Sequence, residues 1–272
     1  MLTEKQLEDI KSLQKTCEEH ENILLKLNWE MLKNRDHHVK QDFFYYEEDV
    51  LKGFTAIYGF GNKAEICGMV HPGSRRNRIF FNLLQQAIGE VKNQGYRQIL
   101  LNAPGNSQSA KGFLSKTEAV FVFSEHQMKW EGGPLNPDTD LVLRRPEAAD
   151  FPFEVQIDVD CFGFSPKDAE EYNRRLKMEN EQQSYIIEYK EEPAGKVRVS
   201  EENGEAWIYG FAISPEHQKR GIGRKTLISI LSKETEKGNP VFLEVEAKNT
   251  GALKLYESCG FKAYYAQDYY LI

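Results

Sequence analysis

The sequence predicts a mixed α/β protein built from two tandem domains of the same design, and three observations carry that prediction. The chain has 272 residues, more than the ~100–150 of a common single domain. Its pattern runs helix, short β-rich runs, helix, strand, helical piece and aromatic strand, and the order then repeats. Pro72 and Pro215, Leu84 and Leu227, Leu100 and Leu243, and Asn106 and Asn249 each stand 143 residues apart, one register kept through strand, helix and loop.

In the first half, Thr3-x-x-Gln6 is a capping box, and Leu7, Ile10, Leu13 and Cys17 recur at helical spacing up to about Lys33, with a break near His20. From Asp42 the runs DFFYYEEDV, GFTAIYGF and AEICGMV read as antiparallel strands. A helix follows at about Ile79 to Asn93, stopped by Gly95, then the strand RQILLNA, a helical piece and the strand VFVFSEHQMKW. The Gly- and Pro-rich stretch EGGPLNPDTD is the best boundary, dividing the chain into residues 1–137 and 138–272, with LVLRR fitting either side. Ser165-Pro166-Lys167-Asp168 is a helix start, with an N-cap, Pro at the first position and an acid in the first turn. Strands SYIIEYK, KVRVSEE and EAWIYGFAIS lead to a helix from about Gly221 to Lys237, which Gly238-Asn239-Pro240 ends. The strand VFLEV, a helix over Thr250 to Ser258 and the strand KAYYAQDYYLI close the order.

Hydrophobic residues at 40% and charged ones at 28% fit a packed core. No run approaches the ~20 apolar residues of a membrane span, and the polar opening MLTEKQLEDIK is unlike a signal peptide, so a cytoplasmic protein without membrane contact is expected. Cys17, Cys67, Cys161 and Cys259 are scattered and read as reduced, packed thiols. Residues 1–137 are neutral and residues 138–272 carry the whole net charge of −7. That balance argues against nucleic-acid binding as the main function. It leaves room for an amine partner, a merely solubilising surface being the alternative. His37-His38 lacks metal-ligand spacing and His217 reads as a solvated residue, so no metal is assigned.

The chemistry concentrates in EAWIYGFAISPEHQKRGIGRKTLISIL, a strand, a short basic turn with two glycines, and a helix. A helix N-terminus offers free N–H groups and a positive dipole end, so such a turn can cradle a pyrophosphate. Gly221 and Gly223 permit close backbone approach, and Lys219, Arg220 and Arg224 add charge. A P-loop lacks its GK[ST] here, and the dinucleotide fingerprint lacks its third glycine; a plain strand-to-helix turn is the alternative.

Gln218-Lys219-Arg220-Gly221-Ile222-Gly223 matches the Q/R-x-x-G-x-G/A signature, and LEVEAKNTGALKLYESCGF matches the second conserved segment, of the GNAT superfamily of acetyl-CoA-dependent N-acyltransferases. Over about residues 205–262 the chain resembles that family, in the form of its ribosomal-protein alanine N-acetyltransferases. By order of elements the first half is similar to a second GNAT domain. The resemblance implies two tandem GNAT-like domains, with acetyl-CoA as cosubstrate and no metal. Backbone groups of Phe211 and Ile213 would pair with the pantetheine arm, and the amides from Lys219 to Arg224, Ile222 among them, would take the pyrophosphate. Asn249 would help to hold the coenzyme, a role compatible with capping the helix that follows.

Glu244 places a carboxylate opposite Val241, Leu243 and Val245 in a strand otherwise fit for burial. By resemblance it is the general base, acting through water; an edge-facing or salt-bridged Glu is the alternative. Tyr256 is by resemblance the acid that protonates the leaving thiolate, and a core tyrosine is the alternative. At the offset of 143, Gly221, Gly223, Glu244 and Tyr256 correspond to Arg78, Phe80, Leu101 and Phe113, so the first half is expected to be a degenerate GNAT domain. Phe162, Phe164, Tyr264, Tyr265, Tyr269 and Tyr270 fall where such proteins form the acceptor pocket, aromatic core packing being the alternative. The expected function is transfer of an acetyl group from acetyl-CoA to a primary amine on a small molecule or peptide. The second expectation is a non-catalytic acyl-CoA-binding or regulatory module. A homodimer is compatible with the sequence but not required by it.

Overall fold

The computed structural model describes residues 2–36, 38–60, 62–138, 140–178, 182–202 and 204–272, so that His37 lies outside the described residues. In chain order the elements are α1 (Glu4–Glu21), α2 (Trp29–Lys33), β1 (Asp42–Glu47), β2 (Val50–Phe60), β3 (Lys63–Val70), α3 (Ile79–Asn93), β4 (Gln98–Pro104), α4 (Gln108–Leu114), β5 (Val120–Trp130) and β6 (Leu141–Arg144). They continue as α5 (Phe151–Phe162), α6 (Pro166–Met178), β7 (Gln182–Tyr189), β8 (Glu192–Glu202), β9 (Glu205–Ile213), α7 (Ile222–Glu236), β10 (Val241–Glu246), α8 (Thr250–Ser258) and β11 (Phe261–Leu271). The chain forms two compact units, Met1–Ser124 with Tyr265–Ile272, and Glu125–Tyr264. The Gly- and Pro-rich segment after Trp130 is irregular and lies inside the second unit. Strand pairing, not chain order, decides which side chains share a core: the end of β5 pairs with β10, and the end of β11 pairs with β4.

In the first unit, Thr3 and Gln6 form the capping box that opens α1. The helix stops at Asn22, a left-handed residue with φ 52° whose short polar side chain tolerates that conformation, two residues beyond the break expected near His20. Strands β1, β2 and β3 are antiparallel, β3 and β4 are parallel, and β11 runs antiparallel to β4. Helices cover both faces of this sheet, so β2 is buried at nearly every position: Phe54, Ala56 and Tyr58 face α1, and Ile57 faces α3.

The second unit repeats the plan, with β5, β10, β9, β8, β7 and β6 side by side and the β9–β10 pair parallel. Helix α7 begins 143 residues after α3 and ends 143 residues after it. Ile222, Thr226, Leu227 and Ile230 on α7 are buried at the same turns as Ile79, Leu83, Leu84 and Ala87 on α3. The tight hairpin residues also recur, Glu48-Asp49 between β1 and β2 and Lys190-Glu191 between β7 and β8, all at positive φ as the twist of a two-residue hairpin requires.

The reading of the sequence contains no helix over α5, and the reason is chemical. Its buried positions are Glu154, Ile157 and Asp158, so the apolar stripe of an amphipathic helix is replaced by carboxylates. Lys196 on β8 reaches Asp158 at 2.7 Å and the Glu154 carbonyl at 3.0 Å, Asn173 on α6 donates to Asp158 at 2.5 Å, and Lys177 lies 2.9 Å from Glu154. A buried pair of this kind adds little net stability, but loss of one partner strands a charge and costs ~3–5 kcal/mol. The network therefore pins α5 and α6 to β8 in one arrangement. Ser165 caps α6 as expected, accepting from the Asp168 amide at 3.1 Å.

Candidate active site

Strands β9 and β10 pair from Ala206–Val241 to Ile208–Leu243. Beyond that point β9 runs on to Ile213 and β10 to Glu246 without pairing to one another among the described residues. The cause lies in β9, where the β8 register shifts between Lys196 and Arg198 and Gly210 adopts φ 53°. This is a β-bulge, which bends its strand and ends regular pairing. Ser214 donates its amide to Ala194, so by alternation the backbone groups of Phe211 and Ile213 face the opposite edge, toward β10. The Ile213 carbonyl accepts from the Gln218 side chain at 3.0 Å and from the Cys161 thiol at 3.5 Å. Its N–H and both groups of Phe211 line the gap.

The turn beyond β9 is a short 3-10 segment over Pro215–His217, then Lys219 and Gly221 in left-handed conformation at φ 60° and 79°. The first bond inside α7 runs from the Lys225 amide to the Gly221 carbonyl, so the amides of Ile222, Gly223 and Arg224 have no helical carbonyl to meet. A Cβ on Gly223 would sit 3.1 Å from the Leu255 side chain and 3.7 Å from the Phe211 ring, whereas one on Gly221 would meet open space. Gly223 thus serves a close approach of α7 to α8 and β9, and Gly221 serves the backbone conformation. Lys219 and Arg220 are exposed at the turn. Arg224 is tied to the end of α8 through the Ser258 carbonyl at 2.9 Å. Asn249 caps α8, accepting from the Ala252 amide at 3.1 Å. His217 is not solvated as the sequence implies: its side chain is 11% exposed and Nδ1 lies 2.9 Å from the Ser214 hydroxyl.

Glu244 follows the last β9–β10 pair and faces away from the core formed by Val241, Leu243 and Val245. Directly opposite it on β5 stands Gln127, buried at 4% exposure, whose Nε2 donates to Glu244 Oε1 at 2.9 Å. Nothing in the sequence singled out Gln127: alternation sets it with Glu125 and Lys129 on the face of β5 opposite Met128, where a polar residue is ordinary. The same face carries Trp207 stacked on Phe242 at 4.9 Å, and Tyr264 edge-on to Phe242 at 6.0 Å. Tyr256 on α8 is buried, and burial pushes its phenol up to about 12, so it stays protonated at neutral pH. Of the other aromatics, Phe162 is exposed and Phe164 packs edge-on to Tyr172. Tyr265, Tyr269 and Tyr270 belong to the first unit, where Tyr269 stacks on Phe123. Among the described residues no group of His, Cys, Asp and Glu could hold a metal ion.

In the first unit the corresponding turn keeps its backbone, with Arg76 and Arg78 left-handed at φ 70° and 60° where the second has Lys219 and Gly221. Phe80 fills the place of Gly223, 4.8 Å edge-on to Phe113, and its ring would collide with a Cβ on Gly68 of β3. Past α3 the correspondence changes by one residue, which corrects the pairing drawn from the sequence. Ile99, Leu101 and Ala103 of β4 face the first core as Val241, Leu243 and Val245 of β10 face the second, and Ser107 caps α4 as Asn249 caps α8, so the offset there is 142. A one-residue slip turns every strand side chain to the other face. The counterparts of Glu244 and Tyr256 are therefore Asn102 and Leu114, not Leu101 and Phe113; neither offers a base or an acid.

The acetyltransferase (GNAT) family model matches residues 151–261, and that segment is a GNAT domain. Over 68 residues the chain is 37% identical to the [ribosomal protein bS18]-alanine N-acetyltransferase of Escherichia coli, a match covering 24% of this chain and 46% of that protein. The chain thus spans about half the length of the curated relatives it matches. Among solved structures, a GCN5-related N-acetyltransferase from Sphaerobacter thermophilus superposes with a TM-score of 0.77 at 16% identity, covering 97% of this chain and 91% of that one. A tandem GNAT protein from the clavulanic acid biosynthesis pathway gives 0.70 at 14% identity, covering 98% and 94%. The fold is the tandem GNAT fold. No helix among the described residues is long and apolar enough to cross a membrane.

Proposed function

We propose that the chain is an acetyl-CoA-dependent N-acetyltransferase acting on a primary amine, with residues 138–272 as the catalytic repeat and residues 1–137 as a degenerate one. The observation that carries this reading is the opening between β9 and β10, bounded by Glu244 on one strand, the Phe211 edge on the other and the free amides of α7 at its end. These residues fit a ligand with a pyrophosphate and an extended amide-bearing arm. The amides from Lys219 to Arg224, with the charges of Lys219 and Arg220, would hold the pyrophosphate. Phe211 and the Ile213 N–H would pair with the arm, Gln218 would fix that strand edge, and Asn249 would steady the start of α8.

When bound, acetyl-CoA supplies an activated thioester carbonyl. Glu244 takes a proton from the incoming ammonium through a water molecule, and Tyr256 gives its proton to the departing sulfur. The amine nitrogen gains the carbon that the sulfur loses. The ribosomal protein bS18 alanine for which the bacterial relatives are named, offered as an alanine-starting peptide, small diamines and amino sugars are the first acceptors to try.

Release of free CoA is measured with acetyl-CoA and a panel of an alanine-starting peptide, a diamine and an amino sugar. Acetylated product with at least one member is expected; CoA binding without product from any amine would favour the non-catalytic module. Tyr256→Phe is expected to lower kcat about 10-fold to 100-fold while leaving KM for acetyl-CoA near its original value. Because burial holds the phenol protonated, the donor form persists as pH rises toward about 12, and turnover should show no loss from this group below about pH 10.

A further inference from the structure

We propose that Gln127 is the positioning residue of Glu244, a part of the site supplied by β5 from outside the segment matched by the family model; this rests on the reading of Glu244 as the base. The two side chains stand on directly opposed residues of an antiparallel pair and share the sheet face opposite the main core. The flanking in-register pairs Leu243–Met128 and Val245–His126 fix that register, so the carboxamide cannot slide along the carboxylate. Gln127 is buried, and its Nε2 donates to Glu244 Oε1 at 2.9 Å.

A core strand would accept Leu or Met here at no cost in burial, whereas a buried carboxamide needs a reason to be present. Its Oε1 is buried with no hydrogen-bond partner among the described residues, an arrangement that costs stability and points to function. The amide cannot turn over to satisfy that oxygen, because the flip would set it against the Glu244 carboxylate. Gln127 thus holds one carboxylate oxygen by a charge-assisted bond and so fixes the orientation of the group that takes the proton. The counterpart in the first unit is Tyr269 opposite Asn102, where the hydroxyl lies 2.7 Å from the Lys26 ammonium, so the base and its holder have been lost together there.

The test is Gln127→Met, close to isosteric and without the donor, with Gln127→Glu as a second variant, Glu244→Gln alone, and the Gln127→Met/Glu244→Gln double variant. The probe is acetyl-CoA with the alanine-starting peptide, and acetyl-CoA cleavage by water where the peptide is not turned over; calorimetric binding of CoA is measured for each chain. Gln127→Met is expected to lower kcat roughly 10-fold to 100-fold with KM for acetyl-CoA and CoA affinity unchanged. In the Glu244→Gln background the same change should cost less than about 2-fold, because Gln127 acts through that carboxylate. Gln127→Glu, which replaces the donor by a like charge, should be at least as slow as Gln127→Met. Wild-type kcat in Gln127→Met, or full additivity in the double variant, overturns the proposal while leaving Glu244 in place. An unchanged kcat in Glu244→Gln, or no CoA release by the wild-type chain, overturns the reading of the base and the proposal with it. If Gln127→Met fails to fold, the carboxamide is a structural element of β5, and the proposal falls unless Gln127→Glu folds and shows the kinetic loss.

Discussion

Glu244→Gln is expected to lower kcat about 10³-fold at neutral pH, the loss characteristic of a positioned base. The substitution keeps the size and polarity of the side chain and removes its ability to take a proton. The strand should hold, because Val241, Leu243 and Val245 on the other face make the core contacts of β10. CoA binding should stay within about 2-fold of wild type, since the amides at the start of α7 and the edge of β9 do not include this residue. Steady-state kinetics with calorimetry on the same sample separates the two effects. A parallel loss of affinity and turnover would place Glu244 in coenzyme binding instead.

Gly221→Asp is expected to weaken acetyl-CoA binding at least ~30-fold, the second large effect. The position is left-handed at φ 79°, and a side chain there costs about 1 kcal/mol of stability. The first unit carries Arg78 in the same conformation at φ 60°, so the turn itself survives a side chain. A Cβ at Gly221 meets open space, which lets the new carboxylate stand over the free amides of α7. A negative charge a few ångströms from the pyrophosphate then opposes the favourable helix end by roughly 2–3 kcal/mol. Gly221→Asn, equal in shape and neutral, should lose much less, and calorimetric titration of the two variants reads that difference.

Much of this was legible in the sequence because it rests on local rules. The capping box at Thr3, the Ser165 start of α6, the helix over Thr250–Ser258 and the glycine turn before α7 all follow from side chains acting on nearby backbone. The face of Glu244 followed from alternation along one strand. What escaped depends on partners far along the chain. Helix α5 buries Glu154 and Asp158 against Lys177 and Lys196, so its polarity conceals its inward face. Gln127 meets Glu244 across 117 residues of sequence, a pairing that only the sheet register reveals. The bulge at Gly210 and the change of offset from 143 to 142 beyond α3 are single-residue events, and both decide what faces the site.

The retained turn and the filled slot of the first unit make a quantitative demand. Phe80 and Phe113 occupy the space that Gly223 keeps open beside Leu255 in the second unit, so one repeat should bind coenzyme and the other should not. Calorimetric titration of acetyl-CoA into the intact chain measures this directly. One equivalent bound per chain, abolished by Gly221→Asp combined with Gly223→Asp in a folded variant, is the predicted result. Two equivalents, or one that survives the double substitution, would contradict it, and no binding at all would reduce the glycine turn to a structural element.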